Sequence, residues 1–116
     1  MCLEINKMLK YSLKELAAKI DFDLEDFIPL IELFLDTTDL NLNAINAAAK
    51  GADNEIISFN IHNIKGASLN LGLEKISVIT EQMSLLNNKG SFADIEKRVE
   101  ECKVELIELR SLLEKN

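Results

Sequence analysis

The sequence predicts an all-α protein, an antiparallel up-and-down four-helix bundle with an additional N-terminal helix. Apolar residues recur at steps of three and four along most of the chain, which is the spacing of one helix face. The 116 residues include only four glycines and one proline, too few for the many turns of a sandwich or barrel. Because the connections between the periodic segments are short, the apolar faces must bury one another.

The first two helices occupy the N-terminal half. One stripe indicates the N-terminal helix: Leu9, Leu13, Leu16, Ala17, Ile20. Pro29 is tolerated only near a helix start, so the second helix is expected to start between Asp23 and Asp26. It should continue, with a bend at Thr37-Thr38 left open, until Gly51.

The third and fourth helices are bounded by capping residues. Asp53 is suited to be an N-cap, and Gly72 suits the position just after a helix end, so the third helix spans about residues 53–71. The fourth helix ends at Gly90 and is indicated by a further stripe: Leu73, Ile76, Ile79, Met83, Leu86.

The last helix follows Ser91, which together with Asp94 resembles a capping box. Its apolar residues repeat at steps of three and four as a heptad seam: Phe92, Ile95, Val99, Cys102, Leu106, Leu109, Leu113. The acidic residues of this helix are expected on a solvated face: Glu96, Glu100, Glu101, Glu105, Glu108.

Charge and composition limit the partners of the chain. Its length fits a single domain over residues 1–116. The formal net charge of −7 opposes binding to nucleic acid and to anionic membranes, so proteins or small ligands are the expected partners. No apolar run approaches the roughly 18 residues of a membrane span, and the polar start does not fit a secretion signal. We expect a cytoplasmic monomer.

Few residues are available for chemistry. The two cysteines, Cys2 and Cys102, fit neither a disulfide framework nor a zinc site, and no metal site is expected. His62 is the one histidine, so any function that needs an imidazole must use it.

His62 is predicted to point away from the core. At about 100° per residue, it lies about 170° from the centre of the apolar stripe that contains Ile56, Ile57, Ile61 and Ile64. Two large apolar residues, Phe59 and Leu69, share its face and suggest a docking surface.

Two further neighbours favour phosphoryl chemistry at His62. Gly66 costs roughly 1 kcal/mol of helix stability against alanine, and one turn from the imidazole it leaves room for a bulky group. Lys65 supplies a cation within reach of an anionic group on His62.

The run from His62 to Gly72, HNIKGASLNLG, resembles the phosphoacceptor motif H-x-L-K-G-x-S-x-x-L-G of histidine-containing phosphotransfer (HPt) domains, with Ile64 in place of leucine. The segments 34–37 (FLDT) and 48–53 (AAKGAD) are similar to the family's patterns before the histidine helix. The resemblance covers about residues 24–90, and the terminal helices match in length and pattern only.

The resemblance implies a role for each site residue. His62 would accept a phosphoryl group from the aspartyl phosphate of a receiver domain and pass it to another receiver. Lys65 would lie by the phosphoryl oxygens, and Gly66 would give clearance. Ser68 would have a supporting role, as would Gln82 or Ser84 on the next helix, where the family often places an amide or acid facing the histidine.

The implied function is that of a phosphocarrier in a two-component multistep phosphorelay. The chain itself would bind no cofactor, because the receiver brings Mg²⁺, and it would have no kinase activity of its own. Two alternatives remain open: a helical adaptor that is not phosphorylated and binds a protein through the Phe59/Leu69 face, and a bundle that self-associates through the terminal heptads.

Overall fold

The computed structural model describes residues 12–115. This part of the chain contains no strand and forms α1 (Leu13–Lys19), α2 (Leu24–Lys50), α3 (Asn54–Asn70), α4 (Glu74–Lys89) and α5 (Phe92–Glu114). Helix α2 packs on α3 and α5, α4 packs on the same two helices, and α1 packs on α2. Since two or three residues join consecutive long helices, their directions alternate. The predicted all-α bundle with an added N-terminal helix is confirmed.

The helix ends explain why the predicted bounds are close to the observed ones. The Asp53 carboxylate accepts a hydrogen bond of 3.2 Å from a backbone N–H in the first turn of α3. Gly72 and Gly90, with φ of 70° and 72°, adopt the left-handed conformation that ends a helix. Between α2 and α3 this conformation falls on Ala52 (φ 55°), because Gly51 closes the helix with φ −93°.

One local expectation is wrong, and the structure decides two others. Ser91 precedes α5, but its side chain makes no capping hydrogen bond, so the expected capping box is absent. Helix α2 is continuous through Thr37-Thr38. Helix α1 begins after Ser12, whose hydroxyl accepts a hydrogen bond from the Glu15 N–H. The predicted stripe residue Leu9 lies outside the described residues.

The heptad seam of α5 is buried by its own chain. Its central residues are buried from Ile95 to Leu109, while Phe92 and Leu113 at the helix ends are half-buried. The largest fully buried side chains come from all five helices: Leu13, Phe27, Ile31, Leu35, Leu42, Ile45, Ile57, Ile61, Ile64, Met83, Ile95, Leu106. The seam is therefore occupied within one copy, so self-association through this heptad would require the bundle to open.

Glu105 departs from the expected solvated face of α5. Its side chain is buried, and Lys75 of α4 lies 3.1 Å from its carboxylate. Glu105 flanks the apolar seam of α5, and helix α4 covers it. The same helix supplies the positive charge of Lys75, which compensates the buried carboxylate. The pattern of α5 alone carries no information about that neighbour.

Cys102 is a buried thiol that makes stability depend on pH. Burial, together with the nearby carboxylates of Glu105 and Asp39, raises the pKa of this thiol from 9.0 to about 12. The thiol of the unfolded chain ionises near 9.0, so the folded state binds more protons between these two values. The free energy of unfolding should therefore be unaffected well below pH 9 and should have fallen by about 1 kcal/mol by about pH 10.

Urea unfolding at about pH 8 and about pH 10 measures this effect. The Cys102→Ser protein is the control, because its hydroxyl does not titrate in this range. The stability difference between wild type and variant should shrink as the pH rises, and a difference independent of pH would contradict the expected role of Cys102.

Candidate functional site

His62 lies in the middle of α3 with its side chain exposed. The buried residues of α3 lie on the opposite side of the helix: Ile57, Asn60, Ile61, Ile64, Ser68. Within residues 12–115 no hydrogen bond or ion pair engages the imidazole. An exposed imidazole without a protein partner is available to a reactant that arrives from outside the bundle.

The predicted apolar stripe of α3 is not buried along its whole length. Ile56 is 47% exposed, although the helical wheel places it among the buried residues. It lies in the first turn of α3, and a wheel records the angle of a side chain without its position along the helix.

Gly66 leaves open space one turn after His62. A Cβ placed on this residue would meet no heavy atom within 4 Å outside its own stretch of helix. The core therefore does not require glycine here, although glycine weakens a helix interior by about 1 kcal/mol relative to alanine. The open space lies on the protein surface beside the imidazole, where an approaching molecule would occupy it.

Lys65 lies one turn from His62 and is held by an ion pair. Its ammonium group contacts the carboxylate of Glu81 on α4, and both side chains remain partly exposed. Residues three apart on a helix are neighbours, so Lys65 is also within reach of a group attached to His62. Glu81 could not be identified from the sequence, because the facing side of α4 depends on how the two helices pack.

Ser68 holds α3 against α4. It is fully buried, its hydroxyl donates a 2.9 Å hydrogen bond to the Lys65 carbonyl, and its Oγ lies 3.1 Å from the Oγ of Ser77. A buried hydroxyl that is satisfied in this way contributes to helix packing. Ser68 therefore supports the site from below, without reaching the exposed face that carries His62.

The two residues proposed on the next helix lie on different flanks of α4. Lys65 of α3 is level with Glu81 of α4, and the two helices run in opposite directions. His62 lies one turn before Lys65, so the residue level with it on α4 lies one turn after Glu81, and that residue is Ser84. Ser84 is half-buried at this level. No hydrogen bond between it and the imidazole is present within residues 12–115.

Gln82 belongs to another surface. It lines a groove of about 440 Å³ between α4 and α5, together with Val78 and Val104. Consecutive residues of a helix point about 100° apart, so Gln82 and Glu81 face different neighbours. The expected position of Gln82 beside His62 is corrected.

Two exposed apolar side chains form an apolar rim on the histidine face of α3. Phe59 and Leu69 are 66% and 58% exposed. Helix α2 carries three further exposed leucines, Leu30, Leu33 and Leu40, and the first two line a groove of about 250 Å³ between α2 and α3. These leucines were not predicted from the sequence, although their departure from the buried stripe of α2 was a visible signal. Exposed apolar side chains grouped in this way are typical of protein-binding surfaces.

Two other kinds of feature, a metal site and a membrane span, are absent from residues 12–115. This range contains no group of three or more His, Cys, Asp or Glu side chains arranged to hold a metal ion. None of its helices combines the length and the hydropathy needed to span a bilayer.

The fold and the site define a class of protein: a ring of four long helices that presents one imidazole beside a lysine and an open glycine. The family model of the Hpt domain matches residues 29–114, about three quarters of the chain, and the chain belongs to this family. The match includes α5, so it extends beyond residues 24–90, where the motif resemblance lies. Comparisons with curated proteins and with solved structures gave no significant match. Hpt domains are phosphocarriers that usually interact with receiver domains.

Proposed function

We propose that this chain carries phosphoryl groups between receiver domains in a two-component multistep phosphorelay, with His62 as the phosphoacceptor. The observation that carries the proposal is the exposed, unpartnered imidazole of the family motif, with Lys65 and the open Gly66 one turn away. Membership of the Hpt family supports the same function.

The transfer step is a displacement at phosphorus. The lone pair of an imidazole nitrogen of His62 forms the N–P bond, while the bond between phosphorus and the aspartyl oxygen of the receiver breaks. The aspartate leaves as a carboxylate with the bonding electron pair. Donation to the next receiver reverses these steps, with a second aspartyl oxygen as the nucleophile.

The residues around His62 contribute position and charge. The Lys65 ammonium group is close enough to balance negative charge on the phosphoryl oxygens, and the space above Gly66 admits the receiver's reacting groups. Mg²⁺ would be held by the receiver and is expected to bind no site on this chain. The chain would not use ATP.

The direct test is incubation of the purified chain with receiver domains that have been labelled by acetyl phosphate. Label should move to this chain from at least one receiver in a panel, and labelled ATP alone should leave the chain unlabelled. A chain that binds a receiver tightly yet takes no label would contradict the carrier function and favour the adaptor. Label taken from ATP alone would contradict the absence of kinase activity.

The apolar rim should determine the rate of receiver-dependent transfer. Replacing both Phe59 and Leu69 by alanine is expected to slow transfer about tenfold, because truncation of central apolar contacts weakens docking by 1 kcal/mol or more. Folding should be preserved, since both side chains are mostly exposed. Quench-flow measurement of label transfer gives the rate.

Ile107 on α5 provides the control, because it is exposed to a similar extent. Its replacement by alanine should leave the transfer rate unchanged. Equal slowing in the Ile107→Ala protein would show that the Phe59/Leu69 face has no special role in docking.

A further inference from the structure

Lys65 already has a partner before any phosphoryl group arrives. Its ammonium group pairs with Glu81 of α4, across the helix–helix contact that the Ser68–Ser77 hydroxyls also hold. Glu81 is level with Lys65 and is one turn away from the level of His62. The Lys65 ammonium group is therefore within reach of both the Glu81 carboxylate and the place where the phosphoryl group would be attached.

We propose that Glu81 is a positioning residue that raises the phosphoryl-transfer potential of His62 by competing with the phosphoryl group for Lys65. This inference rests on the proposed function. In the unphosphorylated protein the carboxylate and the ammonium group stabilise each other. In the phosphorylated protein Lys65 is divided between two anions, and Glu81 also repels the phosphoryl oxygens.

The pair therefore favours the unphosphorylated state and promotes donation to a receiver. Both side chains are partly exposed, so solvent screens the interaction and its effect is moderate. No covalent step changes: the N–P bond still breaks and the receiver's aspartyl oxygen still forms the new bond to phosphorus. What changes is the equilibrium position of that exchange.

The test measures the exchange equilibrium between phosphorylated His62 and the receiver domain that loads the wild-type chain. Removing the charge with Glu81→Gln should shift this equilibrium toward the phosphorylated histidine by about two- to fivefold, the range of an exposed ion pair. The shift should decrease at high salt, because mobile ions screen partly exposed charges.

Two controls separate this role from a structural one. Glu74→Gln removes the same charge from the same helix at a site that pairs with Lys19, and it should leave the equilibrium unchanged. In a Lys65→Met background, which keeps the aliphatic stem, Glu81→Gln should lose most of its effect.

The outcomes are distinct. An unchanged or opposite equilibrium in Glu81→Gln, an equal shift in Glu74→Gln, or a full shift in the absence of Lys65 would each overturn the role of Glu81 and leave the proposed function standing. A wild-type chain that takes no phosphoryl group from any receiver overturns the proposed function and this inference together.

Discussion

The His62→Gln protein is expected to receive no phosphoryl group from any receiver that loads the wild-type chain. The sequence contains one histidine, so no second imidazole can replace it. Glutamine keeps a polar side chain at this position but lacks a nucleophilic nitrogen, because its amide lone pair is delocalised. Transfer should therefore fall to the detection limit of a labelled-receiver assay.

The variant should remain folded. The His62 side chain is exposed and makes no hydrogen bond or ion pair within residues 12–115, so its replacement should change the free energy of unfolding by no more than about 0.5 kcal/mol. Circular dichroism and urea unfolding check this point. Residual label on a folded His62→Gln protein would show that another residue is the acceptor.

Replacing Gly66 by glutamate is expected to have the second largest effect. A Cβ at this position meets no atom within 4 Å, so the bundle should fold. The longer side chain would occupy the clearance beside His62 and bring a negative charge near the phosphoryl oxygens. Displacement of the reacting groups by about 1 Å can cost about a hundredfold in rate, and we expect a loss of that order in receiver-dependent transfer.

Gly66→Ala is the matched control. Its single methyl group fits the open space, and it should stabilise α3 by up to about 1 kcal/mol while keeping the transfer rate near that of the wild type. Quench-flow kinetics and urea unfolding measure the two properties. A Gly66→Glu protein that transfers at the wild-type rate would refute the clearance assigned to Gly66.

The sequence predicts the histidine helix well because its two ends are specified locally. Asp53 caps the first turn through its side chain, and Gly72 adopts the left-handed conformation after the last turn. Between these ends, the helical period alone separates His62 from the buried side. The exposure of Phe59 and Leu69 follows from the same arithmetic and is also observed.

The partners of the site residues depend on tertiary packing, which a single sequence does not encode locally. Glu81 and Gln82 are adjacent in the chain, yet the first pairs with Lys65 and the second lines the groove beside α5. The rotation of α4 about its own axis determines which of the two side chains faces α3 and which faces α5. Glu105 shows the same effect, because its burial depends on α4 covering the edge of the α5 seam.

The most direct test of His62 as the phosphoacceptor is to map the phosphoryl group on the wild-type chain after exchange with a phosphorylated receiver. The protein is digested and analysed by tandem mass spectrometry at alkaline pH, since the N–P bond of phosphohistidine hydrolyses in acid. We expect one modified residue, His62. A phosphoryl group on any other residue, or none on a folded chain after exposure to a full panel of receivers, would contradict the role of His62 as the phosphoacceptor.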